Sequence, residues 1–141
     1  MKANLTHVAL HVVDMEASVD FYQRYCGMKV IHERDNRHIC WMAEVGREQE
    51  MIFVLMVGGQ PVQHNEPDYA HLGFAMASRD EVDRIADMAR EDGVLIWPPR
   101  EDPYPVGYYC GVKDPSGNYV EFSYGQPLGP GAEDADRGLR D

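Results

Sequence analysis

Cationic residues are scarce in this 141-residue chain, with 13 Lys+Arg against 24 Asp+Glu and a formal net charge of −11. Phosphate-backbone recognition needs clustered Lys and Arg, so nucleic acid and acidic membrane surfaces are not expected as partners. Cysteine is sparse as well. Cys26, Cys40 and Cys110 are odd in number and lack CxxC spacing. This argues against a disulfide framework and a thiolate zinc site and fits a reducing cytoplasm. Long apolar runs are missing too. His7, His11 and Asp14 interrupt the first one, so the N-terminal stretch reads neither as a signal peptide nor as a membrane span. A chain of this length buries roughly 68–70% of its unfolded surface, and no covalent staple is needed.

What is present is one pattern written twice. LTHVALHVV (5–13) is β-rich and apolar with two histidines set into it; Asp14 follows as an N-cap, and MEASVDFYQRYC carries Val19, Tyr22 and Cys26 on one helical stripe. Gly27 stands where a left-handed C-cap goes. Strand-like runs over 28–33, 38–45 and 51–57 complete a β-α-β-β-β unit. The second unit opens with AHLGFAM (70–76). Ser78 and Glu81 have capping-box spacing, Val82, Ile85, Ala86 and Ala89 share a helical face, and Gly93 closes the helix. Runs over 94–97, 107–113 and 119–124 follow, the last two joined by Asp114-Pro115-Ser116-Gly117-Asn118, a turn signal. Overlaying the halves pairs His7 with His71 and Asp14 with Ser78, both 64 residues on. The predicted fold is α+β, with modules over 4–58 and 69–125 and a linker over 59–68. The Gly/Pro/charge-rich stretch 126–141 reads as a mobile tail.

A lone histidine in an apolar strand is ordinarily a hydrogen-bonded core residue. Two at equivalent repeat positions point further, to His7 and His71 as a pair of metal ligands. Glu121 adds a third. Strand alternation puts Tyr119, Glu121 and Ser123 on one face, and an ionised glutamate on an inward face is costly unless something positive meets it. The competing reading is a solvated face, with Glu121 bonded to lysine or water. Two neutral imidazoles and one carboxylate make a site for a divalent cation with positions left open for substrate. Among the other histidines, His11 is expected deeper on the same strand face as His7, while His32 and His38 flank a charged turn and are expected in solvent. Trp41, Trp97, Tyr108 and Tyr109 are candidates to line an apolar pocket.

The duplicated pattern, THVALHVVDMEASVDFYQRYCGMKV opening one half, AHLGFAMAS opening the other and DPSGNYVEFSYG closing it, resembles the vicinal oxygen chelate superfamily. That group includes glyoxalase I, extradiol ring-cleaving dioxygenases, fosfomycin-resistance transferases and bleomycin-binding proteins. The resemblance covers residues 5–125 and implies one domain, 1–125, in which paired modules form a half-open barrel cup around one metal. It also implies ligands on the first and last strands of each module. Carried over, these are His7, His71 and Glu121, and the fourth position falls on Val54, where glyoxalase I has a glutamate. Glu50 lies four residues earlier. The dioxygenases carry a tyrosine ten residues before the glutamate, here Gly111, and a histidine at the place of Val57. Tyr109 and His64 are the possible substitutes.

The function expected is a metal-dependent enzyme that binds a small-molecule substrate through two neighbouring oxygens. A glyoxalase-like lyase or isomerase is favoured. The alternatives are an extradiol-type ring-cleaving dioxygenase and a metal-free protein that binds an antibiotic or other ligand. The expected cofactor is one divalent ion (Fe, Mn, Ni, Co or Zn), with Glu121 and Tyr109 as catalytic candidates. A cytoplasmic homodimer is expected, with no nucleic-acid or membrane partner.

Overall fold

The computed structural model describes residues 1–128. The expected tail, 126–141, lies outside the described residues from 129 onward. Ten elements succeed one another along the chain: β1 (His7–Val12), α1 (Met15–Cys26), β2 (Met28–Arg34), β3 (Ile39–Glu44), β4 (Ile52–Val57), β5 (His71–Ala75), α2 (Arg79–Asp92), β6 (Leu95–Asp102), β7 (Gly107–Lys113) and β8 (Tyr119–Tyr124). They fall into two compact units, Met1–Asp68 with Asp114–Asn118, and Tyr69–Lys113 with the chain from Tyr119. Each unit holds one four-stranded mixed sheet, β1-β4-β3-β2 in the first and β5-β8-β7-β6 in the second. The first and last strands of each module pair in parallel, and the other pairs are antiparallel. The fold is α+β, with two tandem βαβββ modules of the same topology.

The helix signals act as the sequence indicates. Asp14 caps α1 by accepting from the Ala17 N–H at 3.0 Å, and Ser78 caps α2 by accepting from the Glu81 N–H at 3.2 Å. Gly27 and Gly93 end the two helices at φ of 64° and 73°, the left-handed region that side chains disfavour. On α2 the buried residues are Val82, Ile85, Ala86 and Ala89, the predicted stripe. The α1 stripe is broader than predicted. It includes Phe21 and Tyr25, whose rings stack at 4.7 Å, while Cys26 is only half-buried.

Strand alternation gives each sheet one core face and one open face. In the first unit Val8, Leu10, Phe53, Leu55, Cys40 and Met42 share the helix side, where Phe53 meets Tyr22 edge-on at 5.7 Å. His7, Ala9, Ile52, Val54 and Trp41 share the other face. In the second unit Val120, Phe122, Cys110 and Val112 are fully buried on the core side. His71, Gly73, Glu121, Ser123, Tyr109 and Gly111 take the opposite face. Both predicted histidine positions thus fall on the face away from the helix.

The Asp114–Asn118 turn belongs to the first unit through one buried carboxylate. Asp114 Oδ1 accepts from the Ser116 and Asn118 N–H groups at 2.9 and 2.8 Å, and Oδ2 accepts from the Tyr22 hydroxyl at 2.7 Å and Asn118 Nδ2 at 3.1 Å. Burial, with Asp114 beside it, pushes the Tyr22 phenol far above its ordinary value, so it remains a donor. Tyr22→Phe is expected to cost about 1–2 kcal/mol of stability, because one donor to a buried carboxylate is lost at constant ring volume. Urea unfolding checks this, and an unchanged midpoint would contradict it.

Candidate functional site

The site grows from the open face of the second sheet. His71 on β5 and Glu121 on β8 lie on paired parallel strands, with Gly73 directly opposite Glu121. His71 Nε2 stands 3.0 Å from Glu121 Oε2, and the Glu121 side chain is 10% exposed. The other ring nitrogen, Nδ1, is bonded to the Tyr69 backbone carbonyl, which can only accept. Nδ1 therefore carries the hydrogen, and a neutral ring turns the Nε2 lone pair toward a carboxylate oxygen. Two lone pairs at that separation repel unless a proton or a cation lies between them. Burial pushes the Glu121 carboxyl above its ordinary value, and the adjacent imidazole pulls it back in part.

A divalent ion suits these two donors. Metal–nitrogen and metal–oxygen bonds of about 2.0–2.2 Å at a right angle leave the ligand atoms roughly 3 Å apart. A metal-binding imidazole ordinarily donates its second N–H to a carbonyl or carboxylate, as His71 does to Tyr69. Among the described residues, no three His, Cys, Asp or Glu side chains stand together closely enough to hold an ion. The pair itself offers one nitrogen and one oxygen donor.

Aromatic and charged side chains build the walls. Gly111 on β7 pairs with both Glu121 and Trp97, and a Cβ placed on it would fall 2.2 Å from Cε3 of the indole. Glycine is required there because Trp97 lies against the β7 backbone. The indole sits edge-on to His71 at 5.7 Å and to Tyr119 at 5.4 Å. A cavity of 440 Å³ opens among Tyr69, His71, Trp97, Arg100, Tyr109 and Glu121. Tyr109 donates its hydroxyl to Asp102 Oδ2 at 2.8 Å, and burial together with that bond keeps the phenol protonated above its ordinary range. Tyr108, one residue earlier, turns to the other face and bonds Asp83 of α2, so it lines no part of this cavity.

The open face of the first sheet is simpler. His7 Nδ1 bonds the Thr6 hydroxyl at 3.0 Å, and His7 lines a 290 Å³ pocket with Trp41, Ile52 and Val54. Val54 stands opposite Ala9 as Glu121 stands opposite Gly73, so the two are equivalent in the repeat. Glu50 lies ahead of β4 and pairs with Arg47 at 2.7 Å. His11 is exposed rather than deep, with Gly59 backed against it. His64, considered as a residue that swings into the site, is held by Asp68 at 2.9 Å and the Gly117 carbonyl at 2.9 Å. His32 and His38 are exposed, as expected.

The model of the Glyoxalase/Bleomycin resistance protein/Dioxygenase superfamily matches residues 4–122. The chain belongs to this superfamily. An uncharacterized protein of Pseudomonas aeruginosa is 58% identical over 135 residues, covering 94% of this chain and 96% of that one. A possible glyoxalase from Bacillus cereus superposes with a TM-score of 0.66 at 25% identity, covering 86% of this chain and 99% of the other. The fosfomycin resistance protein FosX of Listeria monocytogenes shares the fold, with a TM-score of 0.74 at 19% identity and coverage of 96% and 99%. A second structure of FosX, an E126Q variant with Mn(II) and 1S,2S-dihydroxypropylphosphonic acid, gives 0.72 at 21% identity, covering 91% and 94%. Among the described residues, no helix is long and apolar enough to cross a membrane.

Within this superfamily member, sequence reasoning finds His71, Glu121, Trp97 and Tyr109 but misses Tyr69, Arg100 and Asp102. The β6 strand is expected to stop at Trp97, before Pro98-Pro99, and instead runs to Asp102. Two prolines remove two ladder donors, and a strand that continues through them must bulge. That signal is legible in the residues themselves.

Glu121 also sets a stability test. Because folding raises its pKa, its contribution is present below the ordinary glutamate value and is lost as pH rises through the folded one. In metal-free protein Glu121→Gln, neutral throughout, is expected to melt above wild type at pH 7, with the gap closing toward about pH 4. A gap of the opposite sign, or one independent of pH, would contradict the burial argument.

Proposed function

We propose that the protein is a metal-dependent enzyme whose substrate binds through two neighbouring oxygens, with chemistry of the glyoxalase-like lyase or isomerase class. The observation that carries this reading is the 3.0 Å approach of His71 Nε2 to Glu121 Oε2 with Nδ1 tied to the Tyr69 carbonyl. The proposed ligands are His71, Glu121 and His7, the last from the same chain or from a second copy in a homodimer. A bound divalent ion supplies Lewis-acid polarisation of the substrate oxygens. Glu121, whose proton affinity burial raises, takes and returns a substrate proton. Tyr109 keeps its hydroxyl proton directed at Asp102 and, on leaving that partner when substrate binds, donates it to a developing oxyanion. The dihydroxy compound and Mn(II) held by the Listeria FosX variant support vicinal-oxygen binding as a chemistry compatible with this fold. The proposal takes residues 1–125 as a single functional domain.

The ring-cleaving alternative has less support at one position. The tyrosine of the dioxygenase pattern falls on Gly111, and any side chain there runs into Trp97. A lyase or isomerase is expected to work with Ni, Co, Mn or Zn and without oxygen. Strict dependence on Fe(II) and oxygen would contradict that choice of class.

Elemental analysis tests the ligand set. His7→Ala, His71→Ala and Glu121→Ala are each expected to lose most bound metal while retaining the wild-type circular dichroism spectrum, because none of the three lies on a core face. Full occupancy in any two of them would overturn the assignment.

A further inference from the structure

β6 gains one extra residue relative to β7 between two pairings, Trp97 with Gly111 and Arg100 with Tyr109. Regular alternation would put Pro99 and Glu101 on the open face with Trp97. The bulge at Pro98-Pro99 puts Arg100 and Asp102 there instead, so that a cation joins the acid at the rim of the cavity. Nothing in the fold needs that cation, since Arg100 is 63% exposed and contributes to no core face.

Asp102 fixes how the guanidinium is presented. Its Oδ1 accepts from Arg100 Nε at 3.0 Å and Nη2 at 2.6 Å, and its Oδ2 accepts from Tyr109. Among the described residues, the Nη1 group makes no hydrogen bond, so its donors and the second N–H of Nη2, which lies parallel to one of them, remain for a ligand. A guanidinium is suited to the planar or tetrahedral oxygens of carboxylate, phosphate and phosphonate groups, which it can grip in a fork. Charge supports the same conclusion. With Glu121 and Asp102 against Arg100 the cavity carries one net negative charge, and one divalent ion reverses it to one positive. A singly charged anion then leaves the site neutral. Trp97, pressed onto Gly111, provides a flat apolar wall between the ion-binding pair and Arg100.

We infer that Arg100 anchors an oxyanion group of the substrate and that Trp97 is the platform for its flat, apolar part. The substrate class is thus a small organic acid whose vicinal oxygens face His71 and Glu121. The inference deepens the metal-dependent reading and rests on it for the identity of the reacting end, but its test is independent of metal. Trp41 and Trp97 are the two tryptophans of the chain, so a Trp41→Phe background leaves Trp97 as the sole indole reporter. Glu121→Gln in that background removes the carboxylate that repels anions and disables metal uptake.

In this metal-free double variant, benzoate or phenylphosphonate is expected to quench Trp97 fluorescence saturably at millimolar concentration. Neutral benzamide is expected to do so at least tenfold more weakly. Adding Arg100→Gln should weaken the oxyanion at least tenfold, and Arg100→Lys, which keeps the charge but loses the fork, should recover part of the binding. The ratio of benzoate to phenylphosphonate affinity tells a carboxylate head group from a phosphonate one. Equal quenching by benzamide, or indifference to Arg100→Gln, would overturn the anchor. Zinc uptake by the wild-type protein is measured separately. Its failure alongside intact benzoate binding would remove the metal reading and leave Arg100 standing, whereas zinc uptake without oxyanion selectivity would remove only the anchor.

Discussion

The His71 ring is fixed by its Nδ1–H on the Tyr69 carbonyl, which turns Nε2 to within 3.0 Å of the one nearly buried carboxylate on its sheet face. Burial disfavours the ionised glutamate, and a proton or a cation held between the two facing atoms relieves that cost. The rest of the second unit maintains the pairing. Parallel pairing of β5 with β8 fixes His71 and Glu121 two registers apart on one face, and Gly73 opposite Glu121 leaves that space empty of side chain. The α2 stripe locks the other face through Val82, Ile85, Ala86 and Ala89. This pairing of an imidazole nitrogen with a nearly buried carboxylate is what the proposed metal-binding role rests on.

Duplication gives the two modules the same scaffold with different contents. Helix caps, left-handed glycines and strand order repeat nearly residue for residue. The open faces diverge. Where the second module has Glu121, the first has Val54, and where the second has Gly111 under an indole, the first has Trp41 itself. One sheet presents Glu121, Asp102, His71 and Arg100 around one cavity, and the other sets His7 in an apolar pocket with Trp41, Ile52 and Val54. The charged side chains are concentrated on one copy of a repeated frame.

Much of this is legible in the sequence because period-2 and period-3.6 patterns report which face a residue occupies. His7 and His71 can be equated by counting, and Glu121 can be put on the face of Ser123 by alternation alone. The α1 stripe is broader than the Val19, Tyr22 and Cys26 spacing suggests because Ser18, Phe21 and Tyr25, an adjoining row at the same helical period, are buried as well. The β6 strand outruns its expected end because a proline pair need not stop a strand; a bulge lets the chain continue and re-aims Arg100 and Asp102. The Tyr69 carbonyl, which decides the tautomer of His71, is a backbone atom and leaves no mark in residue identity.

The central claim is that His71 and Glu121 are two ligands of one divalent ion. X-ray absorption at the zinc edge of the zinc-loaded protein tests it most directly. The account predicts a mixed nitrogen and oxygen shell with the multiple-scattering signature of imidazole in the wild-type protein, and loss of that site's zinc signal in His71→Ala and Glu121→Gln. An all-oxygen shell, or a spectrum unchanged by both substitutions, would contradict it.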